Sequence, residues 1–179
     1  MRAVLPLLLA LACGGVASAQ TPSEPKTVSP LVVYPPTPAP KIASSYPAQG
    51  QAVPGGVLVI KVTFDQPMLD LAFAFGPAPV GDPPDCLKTP RLLEDKRTFV
   101  LLCTVATGKA YALAFNAGPE AGFANVGSHR AEPAVLAFQT TGEVGPRDIG
   151  SALKAASLNA GDVPIQEDPY HTGRRNAPD

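Results

Sequence analysis

Two histidines, three cysteines and a scatter of carboxylates are the side chains in this 179-residue sequence best suited to acid–base, nucleophilic or metal chemistry. A general base must stand within hydrogen-bond reach of the proton it takes, and neither His129, in "NVGSHR", nor His171, in "DPYHTG", has company that suggests a triad. Ser128 directly precedes His129, but adjacent side chains usually point apart, so the pair reads as an exposed loop. Asp82 and Asp85 share a proline-rich loop, and Glu94 and Asp95 share a polar corner. Neither pair has the D-x-D-x-D-G spacing of a calcium loop, so both read as solvated turn residues. The expectation is no catalytic residue, no metal ligand and no cofactor.

The cysteines carry a different chemistry. Cys13 falls inside "MRAVLPLLLALACGGVASAQ", which has one arginine, an apolar run from Ala3 to Ala12, and small residues at Ala17-Ser18-Ala19. That is the layout of a secretory signal peptide, 1–19, with the mature chain beginning at Gln20. The run is shorter than the ~20 apolar residues needed to cross a bilayer. Lipidation at Cys13 is the alternative, although Ala10-Leu11-Ala12 is a poor lipobox. Export leaves Cys86 and Cys103, an even pair bound for an oxidising compartment, with sixteen residues between them. This is far from C-x-x-C, so the expectation is a structural disulfide between neighbouring antiparallel strands that turn at Glu94 to Arg97. Closing such a loop is worth roughly 3 kcal/mol by chain entropy.

Removing residues 1–19 takes away Arg2 and no acid, leaving 13 basic against 15 acidic residues, or −2. With no basic cluster beyond Arg174-Arg175, the chain lacks the electrostatic footprint of a nucleic-acid binder. Residues 20–40 form a proline-rich linker in which seven prolines exclude helix and central strand. Its apolar island Leu31 to Tyr34 is either a docking peptide or a segment lying along the domain edge.

From 41 to 142 the pattern is short strands. In Val57 to Phe64 the even positions Leu58, Ile60, Val62 and Phe64 form the core face, and Val57, Val59, Lys61 and Thr63 the other. Period two returns at Leu69, Leu71, Phe73 and Phe75. Further strands are expected at 86–93, 98–105, 109–116 and 134–141, with a first one near 42–45. Seven short strands with proline and glycine punctuation predict an all-β, antiparallel sandwich of roughly 100 residues. Beyond it, 143–179 is expected to hold a short helix on Ile149, Leu153 and Ala156, then a mobile tail.

In order along the sequence, Pro47-Ala48-Gln49-Gly50, Phe64-Asp65-Gln66-Pro67-Met68, Tyr111 in "KAYALAF", and Phe138-Gln139-Thr140 resemble the bacterial Ig-like domain of the S-layer (SbsA) type. "EAGFANVGSH" departs from the Asp-x-x-Gly-Asn loop usual in that family. The resemblance implies an Ig-like β-sandwich and an exported, non-catalytic cell-envelope protein that binds or spaces a protein or envelope component, at the periplasm or cell surface. The flanking segments 21–40 and 143–179 are its expected contact regions. The alternatives are a small periplasmic enzyme with an unrecognised site and a copper carrier of the CopC type, whose first turn and strand are similar. Such carriers use an N-terminal histidine where this chain has Gln20, and only Met68 survives cleavage.

Overall fold

The computed structural model describes residues 37–119 and 122–167. The expected signal peptide at 1–19, Cys13, most of the proline-rich linker, His171 and the end of the expected tail lie outside the described residues. Eight strands follow one another as β1 (Ile42–Tyr46), β2 (Ala52–Phe64), β3 (Phe75–Pro77), β4 (Asp85–Cys86), β5 (Arg91–Leu92), β6 (Thr98–Val105), β7 (Ala110–Phe115) and β8 (Ala134–Val144). A helix, α1 (Ile149–Ala155), and a short 3-10 turn at Ala160–Asp162 come after them. The class is all-β.

The strands form one curled mixed sheet rather than two purely antiparallel ones. Its order is β3-β7-β8-β2-β6-β4, with β1 also on β2 and β5 also on β6. The curl is made by β2. Its first residues pair in parallel with the end of β8, Ala52 with Gln139 and Val53 with Thr140. From Gly56 onward it pairs antiparallel with β6, and from Lys61 with β1. Pro54-Gly55-Gly56 is therefore a bend inside a thirteen-residue strand, not the turn that precedes one. Gly56 has φ +128°, and a Cβ there would lie 2.4 Å from the Pro146 carbonyl oxygen, whereas the next residue's N–H donates to that oxygen at 2.8 Å. Only glycine lets the two chains approach this closely.

Alternation along β2 fills the main core. Leu58, Ile60, Val62 and Phe64 face Phe99, Leu101, Cys103 and Val105 of β6, Leu113 and Phe115 of β7, and Leu136 and Phe138 of β8. Phe123 is fully buried and packs within 4.9–5.8 Å, centroid to centroid, of Phe64, Phe99 and Phe115. Each such aromatic contact contributes about 0.5–1.5 kcal/mol beyond area burial.

Two expectations are corrected here. Residues 69–75 do not form a strand: Leu69 and Leu71 are exposed, Leu71 by 88%, and Met68 is the residue that turns into the core. A chain with period two still needs a partner edge, and here only Phe75–Pro77 reaches one, on β7. The second correction concerns the face of β2 opposite the main core. Val59 is fully buried, with Val100 and Leu93, beneath Ala152, Leu153 and Ala156 of the C-terminal segment. Lys61 Nζ donates to the Ala156 carbonyl at the helix end (2.8 Å), and Arg91 donates to the carbonyls of Gly161 and Val163. Residues 143–167 are thus part of the domain, with the end of β8 running to Val144 and α1 covering a second, smaller core.

Asp148 starts α1: its side chain accepts from the Ser151 N–H and hydroxyl, satisfying groups left open at a helix start. Those bonds, the backbone one first, hold the Asp148 carboxyl below its usual pKa.

Candidate functional site

The residues singled out in the sequence fall into two regions, the disulfide edge and the loops at one end of the sheet. On the disulfide edge, Leu87 N–H donates to the Leu102 carbonyl, which makes 87 and 102 a hydrogen-bonded pair. Cys86 and Cys103 are opposite one another in the next register step, where antiparallel strands come closest. Their Cα atoms are 3.9 Å apart and the sulfurs 2.04 Å. Cys103 is buried among the main core, as its place on the Phe99–Leu101 face requires. The strand expected over 86–93 is two short pieces, β4 and β5, each pinned to β6.

At the loop end, hydrogen bonds hold the chain's turns in place. Asn125 is 1% exposed. Its side-chain amide donates to Thr37 Oγ1 and Gln66 Oε1 (2.8 Å each), and its oxygen accepts from His129 N–H. Asn116, also 1% exposed, donates to the carbonyls of Phe123 and Ala131 and accepts from Phe123 N–H. These two amides fix the loop that carries Phe123 into the core. In the described part of this loop, 122–129, these bonds form a local polar network. Its sequence signal was two asparagines flanking a phenylalanine, which composition alone does not single out.

The titratable groups serve the same purpose. His129 is exposed, with Nδ1 3.2 Å from the Thr37 hydroxyl, and Ser128 instead donates its N–H to the Asn125 carbonyl. Asp95 accepts from the Thr98 hydroxyl and from the N–H groups of Arg97 and Thr98. Burial pushes its carboxyl up, but those hydrogen bonds and the charge of Arg97 outweigh it, so the net pKa is lowered. Asp65 accepts from Lys41 N–H. Asp82 pairs with Lys109 at 3.7 Å, and Glu132 with Lys41 at 3.1 Å, both in exposed positions. Asp85 and Glu94 are exposed turn-side residues. Among the described residues, no three His, Cys, Asp or Glu side chains gather as a metal cluster.

The motif residues of the Ig-like resemblance also find structural uses. Tyr111 stacks on Phe138 at 5.6 Å, and its hydroxyl accepts from Ala106 N–H. Thr140 donates its hydroxyl to the Ala106 carbonyl and accepts from Lys109 N–H. Together they lock the turn between β6 and β7.

One surface differs from the rest. Between β1 and the first half of β8 the curled sheet leaves a gap, closed at one end by the Glu132 N–H on the Pro40 carbonyl and at the other by the Gly50 N–H on the Ala137 carbonyl, and a cleft of about 370 Å³ lies there with Val62 and Phe115 of the main core at its base. None of the eleven residues around it is charged. Backbone alternation shows which groups face the opening. Phe64 N–H donates to Arg97 on β6, so even residues of β2 point their backbone that way and odd residues point to β1. Ser44 and Tyr46 therefore bond to Thr63 and Lys61, and Ser45 turns its N–H and C=O outward. On β8, Gln139 N–H and the Ala137 carbonyl bond to the turn at Gly50–Gln51, so odd residues face away from β7. Val135, an odd residue of β8, lines the cleft and is 49% exposed as a residue. Ala137 N–H is capped by Gln49 Oε1. Ser45 and Val135 both line the cleft. Sequence reasoning missed this site because it takes two strands about ninety residues apart to make it. No protein-family model matches the chain, and no curated protein matches it.

Proposed function

We propose that this is an exported, non-catalytic cell-envelope protein whose Ig-like domain binds or spaces another component. The observation that carries the reading is the open, uncharged cleft between β1 and β8, set in a domain whose acidic groups and His129 largely hold turns, caps and loops. A shallow apolar opening suits association better than proton transfer, which needs a positioned base. Export is supported by the signal-peptide layout of residues 1–19 and by a cysteine pair at bonding distance, which persists in oxidising compartments. No described helix is long and apolar enough to cross a membrane. The location in this reading is periplasm or cell surface.

The test is a two-part experiment on the native source. N-terminal sequencing of the fractionated protein should begin at Gln20, and an intact Met1 or lipidated Cys13 would overturn export as drawn. Cross-linked capture with residues 20–179 and with 37–167 should return the same partner, because the cleft and both cores lie within the shorter piece. A partner lost from the shorter piece would move binding to the flanks, and turnover of a small substrate would replace the reading with an enzymatic one.

A further inference from the structure

We propose that the β3 edge of the sheet carries a binding site for a small aliphatic carboxylate, held at its charged end by Arg130; the site is separate from the β1–β8 cleft and goes beyond the reading built on it. Arg130 is half-buried. Its Nη2 donates to the carbonyls of Asn116 and Gly118, in the turn that follows β7. Its Nε–H is buried with no acceptor, and among the described residues no carboxylate stands within ion-pair distance of the guanidinium. A guanidinium offers five donors in a fixed fork, so two neutral carbonyls leave donors and a full charge unmatched. A carboxylate is the partner that matches both at once.

The space beside this group is the second observation. A cavity of about 230 Å³ opens between Gly76 and Pro77 of β3, Ala114 of β7 and the turn at Ala117–Gly118, and of the described residues around it Arg130 alone is charged. At about 30 Å³ per water-sized group, it has room for about eight heavy atoms. Its other walls are apolar side chains and backbone, which suits a ligand with a short hydrocarbon body. A second cavity, of about 310 Å³, shares Ala74 and Phe75 with the first, and its charged lining residue is Lys88. Neither lining holds an acid, in a chain whose net charge is −1, so the local field selects an anion.

Gly76 is the third. Its φ lies outside the left-handed region, so the backbone there does not require glycine, and a Cβ there would meet nothing within 4 Å. Glycine inside a strand weakens it and often marks close approach of a ligand. Here the missing side chain keeps the cavity open. Beside it, Asn116 N–H bonds to the Ala74 carbonyl across the β3–β7 pair, so Phe75, of opposite parity, turns its own N–H away from β7 at an end of the sheet.

The test uses ¹⁵N-labelled residues 20–179 with hexanoate as probe, a carboxylate of the size the cavity admits. The Arg130 Nε–H signal and the Gly76 and Gly118 amides should shift on titration in the millimolar range. Hexanamide, of the same shape without the charge, should bind about tenfold more weakly, and acetate, without the hydrocarbon body, about tenfold more weakly as well. Two variants reach the site by separate routes: Arg130→Gln removes the charge, and Gly76→Leu fills the cavity from β3 while leaving Arg130 in place. Each should weaken hexanoate about tenfold, so the one that folds decides if the other does not. Binding unchanged in a folded variant, hexanamide binding as tightly as hexanoate, or an Arg130 Nε–H signal that does not move overturns the site. Glu120, outside the described residues, is the competing partner. An Arg130 Nε–H signal that moves in ligand-free Glu120→Gln and ignores hexanoate in the unsubstituted chain overturns the site in favour of an internal ion pair.

Discussion

Replacing Leu153 by alanine tests whether the C-terminal helix belongs to the domain. Leu153 is 3% exposed and sits over Val59 and Val100, both fully buried, with Ala152 and Ala156 beside it. Buried Leu→Ala changes cost about 2–5 kcal/mol, the spread reflecting how well the site collapses. Two features place this one near the lower end. Among the described residues the second core has six buried members against seventeen in the main one, and α1 is seven residues long. A helix that short is marginal without its docking face, so the loss cannot exceed the free energy of docking it. We expect about 2–3 kcal/mol. With a urea slope of about 1–3 kcal/mol per molar, the midpoint should fall by roughly 1 M. Hydrogen exchange should lose protection over residues 149–158 before the strands open. Lys154→Ala, on the exposed side of the same helix, should change stability by less than about 0.5 kcal/mol. A Leu153→Ala midpoint within error of the unchanged protein would refute the docking of α1 on the sheet.

Four further outcomes follow from the same geometry. Asp95→Asn should destabilise at neutral pH and cost less as the solution is acidified: the folded-state pKa is lowered, so Asp95 stabilises above the unfolded value of ~3.9 and loses that contribution as pH falls through the folded value. Chemical denaturation at pH 7 and pH 2.5 reads the difference. Asn116→Ala should cost about 2–3 kcal/mol, because the Phe123 N–H and the Ala131 carbonyl lose the side-chain amide out of water while the Phe123 carbonyl keeps only the Ala131 N–H, and amide exchange across 122–131 should accelerate. Gly56→Ala should destabilise by more than about 2 kcal/mol through the clash with the Pro146 carbonyl and the positive φ, measured by thermal unfolding. Non-reducing mass spectrometry of the freshly isolated protein should find Cys86 and Cys103 unalkylated, and their reduction should cost about 3 kcal/mol.

Strand class, the even-numbered face of β2 and the placement of Cys103 were legible in the sequence because alternation is a local property of the pleat: a side chain's face is set by its parity. The turn at Pro47 to Gly50 and the helix at Ile149 were legible for similar reasons, through proline, glycine and a period near 3.6. At Leu69 and Leu71 the same rule misled, since parity says which face a residue takes only if an edge exists to pair with, and that edge belongs to other strands. Val59 and Lys61 show the limit most sharply. Nothing in "VLVIKVTF" distinguishes an outer face that meets water from one that a helix ninety residues later will cover, because burial is a sum over whatever the rest of the chain brings near. The bend at Gly55-Gly56 has the same origin: two glycines permit a turn or a bend, and the approach of Pro146 decides. The cleft is the furthest case. Ser45 and Val135 are unremarkable residues in their own strands, and they line one cleft only because β1 and β8 are bridged at the ends of the gap between them and not along it. Local sequence determined most of the elements and which way their side chains point, while tertiary structure decided which segments found an edge to pair with and which faces were covered.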